Sequence, residues 1–161
     1  MASVYRLADE PRPSTISNLA VNPFWPLLAS MLAGVWLAWP WFIVNATAVG
    51  SPTRRREIVG IIIGLAGSAA LLFGLIVLRE SGTLPAGSIP YAVIAMTVWK
   101  LGVSYWLYMT QQRTFGIWEY YGGVARNGML LLVIGFIAGP RILKAIADSG
   151  GLASLLVVIL R

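Results

Sequence analysis

The chain has 161 residues, of which 58% are hydrophobic and only 11% are charged, and its mean hydropathy is +0.77. A soluble domain usually carries about 25% charged residues, so this composition excludes a soluble globular fold, and the high hydrophobicity excludes intrinsic disorder. Cysteine and histidine are both absent, which excludes disulfides, thiol nucleophiles, histidine-ligated haem and Ser-His catalysis. The sequence therefore predicts an all-α integral membrane protein without a metal or a cofactor.

Basic residues outnumber acidic ones, with 12 Lys and Arg against 6 Asp and Glu and a net charge of +6. They stand at the ends of apolar segments rather than in one extended patch, as the bias of short membrane loops toward Lys and Arg predicts. Attraction to anionic headgroups is expected, and no nucleic-acid recognition motif is present. The expected partners are therefore membrane lipids and not nucleic acid.

The chain begins with a polar tail, residues 1–22, which lacks the apolar run of a signal peptide. The first apolar segment after it is too long for the apolar region of a signal peptide and is expected to stay in the mature protein. One transmembrane helical domain, residues 23–161, follows. Its first predicted span covers residues 24–49, which hold no charge and are long enough to cross a bilayer. Pro40 is expected to kink this helix or to end its regular part.

The second predicted span covers residues 58–78 and follows a basic loop, residues 50–57. Small side chains recur along this span and predict a close helix contact, within the chain rather than between chains: Gly60, Gly64, Gly67, Ser68 and Gly74. The loop carries three consecutive arginines, which are expected to set the topology and to touch lipid headgroups: Arg54, Arg55 and Arg56. We expect the protein in the cell membrane, with loop 50–57 in the cytoplasm.

The third predicted span, residues 89–109, leads into a polar and aromatic connection that either continues the helix or lies along the membrane interface. Its aromatic residues are predicted to anchor the chain at that interface, with a stacking pocket as the alternative: Trp118, Tyr120 and Tyr121. The fourth span covers residues 124–147. Residues 152–160 are apolar but too few to cross a bilayer as a helix. The prediction is about four transmembrane helices plus a short C-terminal apolar helix that is re-entrant, interfacial or packed on a partner.

Lys100 is the one charge within the predicted third span. A charged side chain at bilayer depth usually faces a bundle interior or a cavity, and the alternative is that it snorkels to the interface. No acidic residue stands at matching depth, so an intrachain ion pair is not expected. Asn45 and Thr47 either bond the carbonyls that a kink at Pro40 frees or line a polar site with Lys100.

No motif for catalysis is present: HExxH, P-loop and GxSxG patterns are absent. We therefore predict no enzyme and assign no catalytic, cofactor-binding or metal-binding residue. Three hypotheses remain. The first is a non-catalytic multi-pass membrane subunit in the assembly or scaffolding of a larger membrane complex, with other membrane subunits or copies of itself as partners. It explains the unpaired Lys100, the small-residue face and the apolar C-terminal segment.

The second hypothesis is a small oligomeric transporter or channel that uses the intramembrane Lys100 with Asn45 or Thr47. Its expected mark is a polar stripe down one helix face, and the sequence is interpreted as lacking one. The third hypothesis is a lipid- or ligand-binding helical bundle that uses the aromatic residues near Trp118.

Overall fold

The computed structural model describes residues 14–83 and 85–161 and builds this part of the chain from helices. Residues 1–13 of the predicted tail lie outside it. The α-helices are α1 (Phe24–Leu32), α2 (Val35–Val49), α3 (Arg54–Glu80), α4 (Ile89–Tyr120), α5 (Met129–Asp148) and α6 (Leu152–Leu160). Two short 3₁₀ turns, Ser17–Leu19 and Ala86–Ser88, precede α1 and α4.

Three helices, α3, α4 and α5, are long and apolar enough to cross a membrane, where the sequence predicted about four. They include most of the predicted second, third and fourth spans. Helix α4 continues to Tyr120, so most of the polar and aromatic connection belongs to that helix. Pro140 lies inside α5 and does not end it.

The predicted first span is two helices, because the chain turns at Gly34. Gly34 has a φ of 101°, a conformation that other residues rarely adopt. The amide of Val21 donates to Asn45 Oδ1 at 2.9 Å, whereas one continuous helix would separate these residues by about 36 Å. Helices α1 and α2 therefore form an antiparallel hairpin with its apex at Gly34. Helix α2 continues through Pro40. The sequence predicted a kink or a helix end at Pro40, whereas the helix is interrupted at Gly34.

Helices α3 and α4 pack against each other through the small residues of α3. A Cβ atom at Gly60 would meet the ring of Trp106, and one at Gly67 would meet the ring of Trp99. The indole of Trp99 also donates to the carbonyl of Gly64 at 3.0 Å. Close approach of this kind requires glycine.

Helix α5 begins beside the open end of the hairpin, because Gly128 packs against both Trp25 and Trp41. We call this the near end of the bundle; it also holds the loop between α2 and α3. The opposite, far end holds the turns that follow α3 and α5. Helix α6 folds back from the far end along α5, and the carbonyl of Arg161 reaches the apex residue Gly34. The hairpin and α6 thus enter the bundle from opposite ends and meet inside it.

Candidate functional site: an interior polar column

The buried face of α4 carries polar residues at regular helical spacing. Its buried residues include Lys100, Ser104, Leu107, Gln111 and Thr114, with the apolar Met96 and Phe115 at the two ends of the run, and steps of four and three residues place side chains on one face of a helix. The sequence-based interpretation that no helix carries a polar stripe is therefore wrong. The other faces of α4 also hold hydroxyls, amides and aromatic rings, so this stripe does not stand out in the sequence.

Helices α2 and α3 add three buried polar residues to this face. Six residues together form what we call the interior polar column: Asn45, Glu57, Ser68, Lys100, Ser104 and Gln111. Each of the six is at most 8% exposed. Buried polar groups at this density must be hydrogen-bonded to be tolerated, and the structure supplies those bonds.

At the near end, the column begins with the carboxylate of Glu57, which is 1% exposed. Its Oε1 accepts hydrogen bonds from Ser51 Oγ at 2.8 Å and from Thr53 Oγ1 at 2.7 Å. Its Oε2 accepts one from Gln111 Nε2 at 2.6 Å. These three donors are neutral, so hydroxyl and amide dipoles stabilise the buried carboxylate in this cluster.

Gln111 connects this hydrogen-bonded cluster to α2. Its Nε2 also donates to the carbonyl of Phe42 at 2.7 Å, and its Oε1 accepts from Asn45 Nδ2 at 3.0 Å. Because Asn45 Oδ1 accepts from Val21, the network ties α2, α3, α4 and the segment before α1 together. Asn45 is therefore part of a buried network at the near end.

In the middle, the column is interrupted by Leu107, which is 0% exposed. Beyond it, Ser104 Oγ accepts from Trp39 Nε1 at 3.1 Å and donates to the carbonyl of Lys100 at 2.9 Å. On α3, Ser68 Oγ donates to the carbonyl of Gly64 at 2.8 Å. The hydroxyls here are satisfied by backbone and indole groups.

At its inner end, the column reaches Lys100, whose Nζ donates to the carbonyls of Val158 and Ile159 at 3.2 and 3.3 Å. These carbonyls belong to the last turn of α6, where helix carbonyls lack intrahelical partners and the helix dipole favours a cation. In this structure Lys100 caps the C-terminal turn of α6. Its side chain therefore does not snorkel, and its ammonium group has hydrogen-bond partners without another subunit.

The structure does not bring the three predicted polar-site residues together. Asn45 bonds Gln111, which lies about 16 Å along α4 from Lys100. Thr47 Oγ1 donates to the carbonyl of Ile43, four residues earlier on its own helix. Sequence reasoning missed Glu57, Ser104 and Gln111, and the heptad-like spacing from Lys100 is the signal that identifies two of them.

Two cavities lie close to the column, although none of the six column residues lines either of them. The near-side cavity, of about 690 Å³, is lined by Thr47, Ser51, Arg54 and Arg55 among others. The far-side cavity, of about 580 Å³, is lined by Ser30, by Gly34 at the hairpin apex, and by Lys144, Val157 and Arg161. One cavity thus reaches a donor to Glu57, and the other reaches the turn of α6 that Lys100 caps.

The remaining predicted residues divide between packing and surface. Gly60, Gly64 and Gly67 contact tryptophan side chains of this chain, whereas Gly74 has no heavy atom within 4 Å of an added Cβ. Trp118 packs against Phe115 with the two rings tilted by 36° and a ring-centroid distance of 5.7 Å. The other two predicted interface aromatics are exposed: Tyr120 and Tyr121. Arg56 is exposed like its two neighbours but faces a different depression in the surface.

Within residues 14–83 and 85–161, no group of three or more acidic side chains is placed to hold a metal ion. No protein-family model, curated protein or solved structure matches this chain. The column and the two cavities are therefore the basis of the proposed function.

Proposed function

We propose that this protein is a small membrane transporter or channel that moves protons along the interior polar column, with α3, α4 and α5 as its membrane spans. The observation that carries the proposal is a buried column with an ionisable side chain at each end, Glu57 and Lys100. Ionisable groups at membrane depth are costly and typically mark ion pathways and proton relays.

A proton fits the column better than a larger ion does. The side chains between its ends are tightly buried, with Leu107 and Phe42 both at 0% exposure, so a hydrated ion would have to displace them. A proton instead passes between hydroxyl, carboxyl and amine groups through transient water, which must also bypass the amides of Asn45 and Gln111 because amides do not relay protons. The near-side cavity supplies water to Ser51 and so to Glu57, and the far-side cavity supplies it to the end of α6.

The column has one apolar step, at Leu107. It separates Gln111 from Ser104 by about 10 Å along the helix, and water must enter from Ser104 to Glu57 for a proton to cross, since the Gln111 amide does not carry one. We propose that this step limits the rate. Because the column lies within one chain, the oligomer that sequence reasoning required is not needed for this version of the transporter hypothesis.

The test is proton flux into vesicles that contain the purified chain and a trapped pH-sensitive dye, driven by a valinomycin-set potassium potential. We expect flux well above that of protein-free vesicles. Glu57→Gln should lower it at least tenfold, and Leu107→Ser should raise it. The matched control is Glu119→Gln, since Glu119 is an exposed acid near the same end of α4 and its loss should leave the flux unchanged.

Two results would overturn the proposal. One is wild-type flux equal to that of empty vesicles of the same composition. The other is an equal effect of Glu57→Gln and Glu119→Gln, which would assign the flux to surface charge. Folding of each variant is checked by circular dichroism and size exclusion before reconstitution, and Leu107→Ser, which predicts a gain, guards against a loss caused by misfolding.

The membrane-subunit hypothesis is the second candidate, because the far halves of α3 and α4 expose large apolar side chains, including Phe73 (68%), Tyr91 (75%) and Val98 (63%). The two other arguments for a subunit are weaker in the structure. The end of α6 accepts hydrogen bonds from Lys100, and tryptophan side chains of the same chain pack against the small residues of α3. Native mass spectrometry of the protein extracted gently from its own membrane tests it. A stable complex with other proteins would favour the subunit hypothesis. A spectrum without such a complex would contradict that hypothesis.

A further inference from the structure

A groove of about 620 Å³ lies between the first turn of α3 and the second half of α4, at the near end of the bundle. Arg56 of α3 and Arg113 of α4 line it, together with Thr53. Both arginines are exposed, and they line the groove from two separate helices. Nearer the middle of α4, Trp106 and Met109 line the same groove. We call it the basic groove.

The basic groove combines two kinds of surface that one ligand class requires. Guanidinium groups bind phosphate oxygens through paired hydrogen bonds. Trp106 and Met109 are 44% and 49% exposed and offer an apolar surface that extends from the basic residues toward the middle of the bundle. A phosphate attached to an acyl chain matches this order, whereas free phosphate uses only the basic part.

We propose that the basic groove binds an anionic phospholipid, with the phosphate between Arg56 and Arg113 and an acyl chain over Trp106 and Met109. Anionic lipids attract basic clusters at membrane surfaces in general, but this proposal makes a narrower claim. Of the three consecutive arginines, only Arg56 would bind the lipid in this groove, because Arg54 and Arg55 line the near-side cavity instead. The proposal does not rest on proton movement, since neither Arg56 nor Arg113, which would hold the phosphate, belongs to the interior polar column.

The chain itself provides the matched control. Purified full-length protein in detergent is titrated with phosphatidylglycerol, and bound lipid is counted by native mass spectrometry. The double variant Arg56→Gln with Arg113→Gln should weaken binding at least tenfold. The double variant Arg54→Gln with Arg55→Gln removes the same charge from neighbouring positions and should change binding less than twofold. Phosphatidylcholine, which is zwitterionic, should bind more weakly than phosphatidylglycerol.

Further arms separate lipid from free phosphate and a built site from diffuse charge. Met109→Ser should weaken phosphatidylglycerol binding, and inorganic phosphate at equal concentration should fail to displace the lipid. Displacement by inorganic phosphate, with no effect of Met109→Ser, would overturn the lipid assignment in favour of a phosphate site. Equal losses in the two double variants would overturn the site itself, because total charge would then explain the binding.

Discussion

At the residue scale, the buried ammonium group of Lys100 is costly to desolvate but holds the end of α6 in place. An ammonium group at membrane depth costs a few kcal/mol on insertion scales. The two α6 carbonyls that accept from its Nζ offset part of that cost, because they carry the negative end of the α6 dipole. The same contact holds a helix of 9 residues, which is too short to be stable alone. Lys100 and α6 therefore depend on each other.

Replacing Lys100 by Met should loosen α6 specifically. A cation at a partly buried helix C-terminus contributes about 1–2 kcal/mol, and about 1.4 kcal/mol corresponds to a tenfold change in an equilibrium constant. We therefore expect amide hydrogen exchange in residues 156–161 to accelerate about tenfold. Global stability is a poorer readout, because the variant also removes the cost of burying the charge.

Lys144→Met is the control for this prediction. Lys144 is an exposed lysine of α5, so its loss removes the same charge without removing a bond to the last turn of α6. Equal acceleration of exchange in the two variants would show that net charge, and not the cap, protects α6. Lys100→Arg should restore part of the protection, since a guanidinium also donates to carbonyls.

At the element scale, α3 carries glycines of two kinds. A Cβ at Gly67 would collide with the ring of Trp99, whereas a Cβ at Gly74 would meet open space. Alanine favours a helix interior by about 1 kcal/mol over glycine, and overpacking a close contact costs about 1–3 kcal/mol. The two positions should therefore respond differently to the same substitution.

Gly67→Ala should lower the Tm of the detergent-solubilised protein by several degrees, while Gly74→Ala should leave it unchanged or raise it. The shift follows from a scale of roughly 2–4 °C per kcal/mol for a chain of this size. Tryptophan fluorescence during heating measures both variants, and Trp99 is itself a reporter at the contact. A Tm loss in Gly74→Ala as large as in Gly67→Ala would contradict the packing that we describe.

Long apolar runs predicted α3, α4 and α5, because an apolar stretch of spanning length seldom occurs outside a transmembrane helix. The hairpin was not predicted, since Gly34 is one glycine in an apolar run and no neighbouring residue signals its positive φ. The column was missed for a related reason. Spacing identifies which α4 residues share a face, but only the packing of α2 and α3 determines that this face is buried, and it places Asn45 beside Gln111 and not Lys100.

At the scale of the whole molecule, the hairpin changes the topology. A first span that crosses the membrane would put the tail and the near end on opposite sides, whereas a hairpin returns the chain to the side where it entered. Thr15 accordingly lines the near-side cavity with Arg54 and Arg55. The near end then carries Arg54, Arg55, Arg56, Arg113 and Arg126, and the far half carries Arg79, Arg141 and Lys144, while Arg161 lies where α6 meets the hairpin. The positive-inside rule still predicts loop 50–57 in the cytoplasm.

Because the chain has no cysteine, single introduced cysteines can map this topology with a membrane-impermeant maleimide in intact cells. We make Thr15→Cys, Tyr121→Cys and Ser149→Cys, all at exposed positions. Three spans with a cytoplasmic near end predict labelling of Ser149→Cys alone, and permeabilised cells should label all three. Labelling of Thr15→Cys and Tyr121→Cys without Ser149→Cys would keep three spans but reverse the orientation. Opposite results for Thr15→Cys and Tyr121→Cys would restore a crossing first segment, because only a hairpin at Gly34 keeps both residues on one side.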